Sequence, residues 1–244
     1  MNLTTLPVAG MRKGMAPASL LETALVELQG KRRQREHMDR RQFMTASLAA
    51  AAATAFGGAA GALEAGKPMN ILVLTGSPRK NGNSATLAAQ FIRGAEEAGH
   101  AVTRFDAAFR NVHPCTACNS CGMDGPCVFQ DDFQVVREHI IPADMVVFAT
   151  PMYYFGFSSQ LKAVIDRFYA INGSIHRAKK AALLMTYADN AARKEHPLLA
   201  HYEMLLAYLG WTDAGRVIAP GVWPAGAVNG TPYPQQAYAL GKSL

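Results

Sequence analysis

The sequence from Met69 onward predicts a three-layer α/β domain: a doubly wound, five-stranded parallel sheet in the order 2-1-3-4-5 with helices on both faces. Apolar runs alternate with helical patterns five times over, which argues for parallel strands joined by right-handed crossovers. Several runs are apolar throughout instead of alternating, as strands covered on both faces require. Residues 69–244 number 176, a comfortable size for one such sheet.

The first strand is expected at 70–75, where NILVLT runs into a small polar turn. An Ala-rich helix follows at 84–98, with Gly99 as its stop. Strand two is expected at 101–106 and a helix at 132–141. Strand three, 145–150, leads into a helix over 158–170, on which Lys162 and Asp166 are four apart and form an ordinary surface pair. Strand four is expected at 181–186. The next helix spans 197–209, with Pro197 suited to its first turn and Gly210 beyond its end. A strand at 214–220 and a helix at 234–240 complete the domain. In this order a ligand sits at the carboxyl ends of strands one and three.

Ahead of the domain the composition changes. Residues 45–65 are a low-complexity Ala/Gly stretch, preceded by Asp39-Arg40-Arg41-Gln42-Phe43-Met44 and containing an A-x-A-like site at Ala60-Gly61-Ala62. A paired arginine before a weakly apolar region reads as a twin-arginine export signal over 38–65, with the periplasm as destination. Ala and Gly span membranes poorly and the apolar run is shorter than about 20 residues, so no stable membrane span is expected. Met38 would begin a signal of ordinary length. Residues 1–37 are then expected to be disordered or a mispredicted extension. Lys and Arg outnumber Asp and Glu by 8 to 5 over residues 1–65, half of the net charge of +6, so a nucleic-acid reading loses its main support.

The turn after strand one reads Gly76-Ser77-Pro78-Arg79-Lys80-Asn81-Gly82-Asn83-Ser84. Amides opening a helix lack helical partners and carry the positive end of its dipole, so a turn presenting Ser, Asn and Arg there favours a phosphate. Counting from Gly76, neither the Walker register nor Gly-x-Gly-x-x-Gly fits, which leaves a mononucleotide bound without a magnesium site. The alternative is an ordinary strand-to-helix turn with Ser84 as N-cap. After strand three, Pro151-Met152-Tyr153-Tyr154-Phe155-Gly156 groups three aromatics, a mixture suited to a flat ring and to backbone amides at its edge. The alternative there is a hydrophobic turn packed on a second copy.

These two segments resemble the phosphate loop and the Thr-Pro-x-Tyr loop of the NADPH-dependent FMN reductase branch of the flavodoxin-like flavoproteins. The resemblance implies a flavodoxin-like fold and FMN as cofactor. Ser77, Pro78, Arg79, Asn83 and Ser84 would lie at the phosphate, and Pro151, Met152, Tyr153, Tyr154 and Phe155 along the ring. Tyr187, after strand four, would reach the flavin edge. It also implies NAD(P)H as electron donor and a homo-oligomer, commonly a dimer or tetramer. No side chain is expected to act as nucleophile or general acid, because the flavin carries the electron chemistry.

All four cysteines fall between strands two and three, as Cys115-x2-Cys118-x2-Cys121-x5-Cys127. The segment resembles the compact motif of iron-sulfur flavoproteins, which implies a [4Fe-4S] cluster on these thiolates. Disulfides or free thiols, and a four-cysteine zinc site, also fit this spacing. His113 is expected to be a loop residue. The twin-arginine route carries folded proteins, often with cofactors inserted, so the signal agrees with a bound cofactor. A periplasmic location also lacks a supply of free NAD(P)H, which favours a quinol or a redox protein as donor. The expectation is therefore an exported FMN-dependent oxidoreductase. The rivals are an iron-sulfur electron carrier and a non-enzymatic, metal- or disulfide-stabilised binding module.

Overall fold

The computed structural model describes residues 67–191 and 193–244. The expected export signal at 38–65 and extension at 1–37 lie outside these residues. Within them stands the expected sheet. Strands β1 (Asn70–Thr75), β2 (Ala101–Asp106), β3 (Met145–Tyr153), β5 (Lys180–Thr186) and β6 (Thr212–Ala219) pair in parallel in the order β2-β1-β3-β5-β6. A short sixth strand, β4 (Gly156–Phe157), pairs antiparallel with the end of β3.

The continuous apolar runs serve two cores. Leu72, Leu74, Phe148 and Leu183 face one layer, which also holds Leu161, Tyr202 and Trp211. Their alternate neighbours Ile71, Val73, Val147 and Leu184 face the other, with Leu87 and Phe91. Strand periodicity of two sends successive side chains to opposite faces, so only a doubly covered strand can be apolar at every position.

Helix α1 (Asn83–Glu97) follows β1 and packs closely on α6 (Tyr233–Lys242) at the end of the chain. The approach depends on two glycines. A Cβ at Gly94 would lie 2.2 Å from the Tyr238 carbonyl, and one at Gly241 2.2 Å from that of Phe91. On the other face lie α2 (Phe133–Ile140), α3 (Ser159–Asp166) and α5 (His196–Leu209), the last closed by Gly210 at φ 70°.

Two expectations change. The helix expected at 158–170 is regular only to Asp166, then tightens into a 3-10 segment, Arg167–Ile171, and a short helix α4, Asn172–Ile175. The loop expected after strand three is instead a hairpin. β3 continues to Tyr153 and returns through Tyr154 and Phe155 into β4, with Tyr153 opposite Gly156.

Candidate functional site

The carboxyl ends of β1 and β3 are stitched together. The Gly76 amide donates to the Ala149 carbonyl at 2.9 Å. Ser158, buried at the start of α3, donates its hydroxyl to the Gly76 carbonyl at 2.8 Å, and its own amide donates to Thr150 Oγ1 at 3.2 Å. Gly76 must be glycine for this contact, because a Cβ there would fall 2.2 Å from Ser158 Oγ and 2.7 Å from Leu161 Cβ. The turn after β1 is thereby fixed beside the hairpin after β3.

Above this junction lies a narrow cleft of about 100 Å³ reached by Ser77, Arg79, Asn83, Ser84, Pro151 and Met152. It adjoins a wider recess of about 520 Å³, which is reached by Tyr153, Tyr154, Phe155, Lys194 and Trp223. Met152, Tyr153, Tyr187, Ala188 and Trp223 border both. Ten of the eleven residues expected at a cofactor thus meet in one place, while exposed Pro78 borders neither recess.

The cleft ends on the N-terminus of α1, which is left open. Its N-cap is Gly82, without a side-chain cap, so Ser84 lies within the helix and does not cap it. The first helical bond runs from the Thr86 amide to the Gly82 carbonyl at 3.0 Å. The amides of the first turn before it are those that a helix cannot satisfy internally. The Ser84 hydroxyl is buried and has no hydrogen-bond partner among the described residues. Ser77 shapes the turn, its hydroxyl accepting from the Arg79 amide and donating to the Arg79 carbonyl, both at 3.2 Å. A Cβ at Gly82 would meet Ser77 Oγ at 2.6 Å.

Asn83 acts differently from the expected phosphate contact. Its side-chain amide donates to the carbonyls of Val222 and Pro224, both at 2.9 Å, and its oxygen accepts from the Val228 amide at 3.2 Å. The side chain clasps the loop after β6, and what Asn83 offers the cleft is its backbone amide. Tyr187 borders the cleft with its hydroxyl turned to Glu195 at 2.9 Å. Burial and then the Glu195 carboxylate push its pKa up to about 12, so it remains a neutral donor at ordinary pH.

The hairpin tip is strained. Tyr154 and Phe155 have φ of 44° and 66°, the doubly left-handed geometry of a type I′ turn, which Asn-Gly ordinarily fills. Holding two bulky side chains there costs on the order of 1 kcal/mol or more each. It presents Tyr153, Tyr154 and Phe155 to solvent at 41%, 101% and 49% exposure.

Sequence reading missed Trp223 and the backbone around it. Trp223 stands 67% exposed at the recess mouth. Its carbonyl accepts from Arg79 Nη1 at 3.3 Å, and the Arg79 guanidinium lies 5.9 Å from its ring centroid. A tryptophan in a Pro/Gly-rich stretch was the available signal.

The cysteine segment forms a second, separate constellation. Cys115, Cys118, Cys121 and Cys127 all border one small cavity of about 10 Å³, with Arg167 in its wall. No disulfide joins them, and among the described residues no three His, Cys, Asp or Glu side chains converge closely enough to grip one metal ion. Left-handed Ala117, Asn119, Gly122 and Met123 fold the chain tightly between the sulfurs. The Ser120 backbone and hydroxyl hold the Cys118 thiol below its usual pKa. His113 is a loop residue, stacked on Phe129 at 3.9 Å.

Arg167 ties both ends of this segment together. It is 1% exposed and bonds Asp131 at 2.8 Å, the His113 carbonyl at 2.9 Å and the Phe129 carbonyl at 3.3 Å. Burial pushes the Asp131 carboxyl up, but Arg167 and the His113 and Phe133 amides outweigh this and hold it below the usual range.

A doubly wound sheet whose switch point joins an open helix N-terminus to an aromatic recess defines a mononucleotide-binding α/β protein. The chain belongs to the NADPH-dependent FMN reductase family, whose model matches residues 69–221. It is accordingly an FMN-dependent oxidoreductase, with FMN as its cofactor. It is 27% identical over 158 residues to an iron-sulfur flavoprotein of Archaeoglobus fulgidus, a match covering 64% of this chain and 70% of that protein. It is 33% identical over 99 residues to one of Methanosarcina thermophila, covering 41% and 52%. The match thus spans about half the length of the second relative. Among solved structures, an NAD(P)H:quinone oxidoreductase from Methanothermobacter marburgensis superposes with a TM-score of 0.58 at 20% identity, over 72% of this chain and 96% of that one. This likeness concerns the fold.

The cleft suits FMN on its own evidence. The unpartnered Ser84 hydroxyl and the open first turn of α1 await an acceptor such as a phosphate. The apolar hairpin suits a flat ring.

Proposed function

We propose that this chain is an exported oxidoreductase that passes electrons between NAD(P)H, a quinol or a redox protein and a small acceptor. The FMN cofactor supplies hydride and electron transfer when bound. The observation that carries the placement is the buried, unpartnered Ser84 hydroxyl at the uncapped start of α1, in the same cleft as Arg79 and the aromatic hairpin. Ser84 and the α1 amides hold the phosphate. Arg79, exposed at the rim, adds a charge-assisted contact. Pro151, Met152 and Tyr153 flank the ring, and Tyr187 closes the far side with a hydroxyl already engaged by Glu195. Among the described residues no helix is long and apolar enough to cross a membrane. The paired arginines and Ala/Gly stretch at 38–65 support periplasmic export, where a quinol or redox protein is the accessible donor.

Arg79→Ala is expected to weaken FMN roughly 10- to 100-fold, the worth of a hydrogen bond to a charged group. It should leave riboflavin, which lacks the phosphate, nearly unaffected. Fluorescence titration with both flavins checks this, and equal losses for both would remove Arg79 from the phosphate. Export is tested by a reporter fused after residue 65. Periplasmic activity that disappears on Arg40→Lys together with Arg41→Lys supports it, and a cytoplasmic reporter refutes it.

A second reading is favoured by one observation, that all four cysteines border a single cavity. On that reading the segment opens to hold a [4Fe-4S] cluster and the chain serves as an electron carrier. Iron and acid-labile sulfide near four each per chain after anaerobic purification would support it. Zinc, or thiols alone, would exclude it.

A further inference from the structure

We infer that Trp223 is the specificity-determining residue for the electron acceptor, forming with the hairpin tip an aromatic-walled recess for a flat, uncharged aromatic molecule. The inference rests on the FMN-dependent oxidoreductase reading and extends it to the acceptor. Tyr153, Tyr154, Phe155 and Trp223 all line the recess. Of the residues bordering the recess, the charged pair Lys194 and Asp189 lie 3.9 Å apart and offset one another, while the remaining lining is mostly aromatic or apolar.

Trp223 is exposed by construction. Its loop is fixed at several points: by the Asn83 amide on Val222 and Pro224, by the Val222 amide on the Tyr187 carbonyl at 3.0 Å, and by the Gly221 amide on the Asp189 carbonyl at 3.2 Å. Gly221 and Gly226, with φ of 71° and 82°, turn the chain at either end of the loop. Arg79 bears on the Trp223 carbonyl and ring from the cofactor side. A backbone held this firmly leaves the indole, the largest apolar side chain available, exposed in the same recess as a strained aromatic turn. Both arrangements work against burial, and both point at one space. That space shares Met152, Tyr153, Tyr187, Ala188 and Trp223 with the cofactor cleft, so a molecule stacked there lies next to the ring of the cofactor. Flat aromatic ligands gain from offset stacking beyond the area they bury. A hydrated ion gains nothing from it.

The test uses FMN-loaded protein from the full chain. Binding of 1,4-naphthoquinone is measured by equilibrium dialysis on wild type, Trp223→Ala and Trp223→Phe. Stopped-flow reoxidation of dithionite-reduced protein by naphthoquinone and by ferricyanide then gives the ratio of the two second-order rate constants. In the naphthoquinone reaction two electrons and two protons convert the quinone to its hydroquinone, and ferricyanide takes one electron at a time. Trp223→Ala should weaken naphthoquinone about tenfold and lower the naphthoquinone-to-ferricyanide ratio about as much, with Trp223→Phe recovering most of both. Unchanged naphthoquinone affinity in Trp223→Ala overturns the inference, as does an equal loss with the two acceptors. So does a weakened self-association in sedimentation velocity with quinone affinity intact, which would make the recess a contact between copies of the chain. If wild-type protein is reoxidised by neither acceptor, the oxidoreductase reading fails, and dialysis still decides on Trp223.

Discussion

The cofactor cleft and the cysteine segment are built on opposite plans. At the cleft, regular strands and a helix end on groups without partners: the Ser84 hydroxyl, the first amides of α1 and a bare aromatic hairpin. In the cysteine segment an irregular chain is tied to distant elements by side-chain hydrogen bonds. Arg167 grips both of its ends, Arg137 holds the Gly125 carbonyl at 3.1 Å, and Asp124 takes the Ser174 amide at 3.0 Å. One site is finished except for its ligand. The other gathers its half-buried and exposed cysteines around a space of about 10 Å³. A binding site therefore shows itself by what its neighbours leave unsatisfied more clearly than by how many suitable residues gather there.

The comparison breaks most visibly at Arg167. Removing one partner of a buried ion pair strands the other, so Arg167→Met should cost about 3–5 kcal/mol in urea unfolding of the FMN-free protein. Because the contacts it loses belong to the cysteine segment, riboflavin affinity should change much less than stability. A loss under about 1 kcal/mol would show that the segment is held by something other than this pair.

Gly76→Ala attacks the cleft where its two loops meet. The new methyl displaces Ser158 or Leu161, and overpacking of this kind costs about 1–3 kcal/mol. Here stability and FMN affinity should fall together, since the same contact aligns the β1 turn with the hairpin. Thermal unfolding and flavin titration check the pair of effects.

A smaller change of opposite sign is expected at the hairpin. Tyr154 is fully exposed at φ 44°, and Asn tolerates that region far better, so Tyr154→Asn should stabilise the protein by about 0.5–1 kcal/mol. Naphthoquinone binding should weaken in the same variant. A destabilised Tyr154→Asn would mean that packing by the Tyr154 ring outweighs the backbone strain at φ 44°.

Which parts were legible in the sequence follows from the range of the forces involved. Asn70–Thr75 and Ala101–Asp106 read at their true bounds, because a short apolar run against a polar turn is a local signal. That Ser77, Arg79 and Ser84 meet in one cleft was legible through the turn chemistry at a helix start. The hairpin was not, since Tyr154-Phe155 lacks the Asn-Gly signature and its geometry is imposed by pairing with β4. The role of Asn83 is set by carbonyls 139 and 141 residues further along, and Trp223 is positioned by the same clasp. Arg167 reads as one more polar residue on a helix until the fold wraps the cysteine segment around it.

On the proposed reading the N-terminus of α1 is an open phosphate site completed by Ser84. The most direct measurement is the affinity of FMN and of riboflavin for Ser84→Ala, taken with the melting temperature of the flavin-free protein. An unpartnered buried hydroxyl contributes nothing to the empty fold, so the melting temperature should hold or rise. FMN should bind about tenfold more weakly, with riboflavin unchanged. A variant that melts earlier and binds FMN as tightly as wild type would contradict the account.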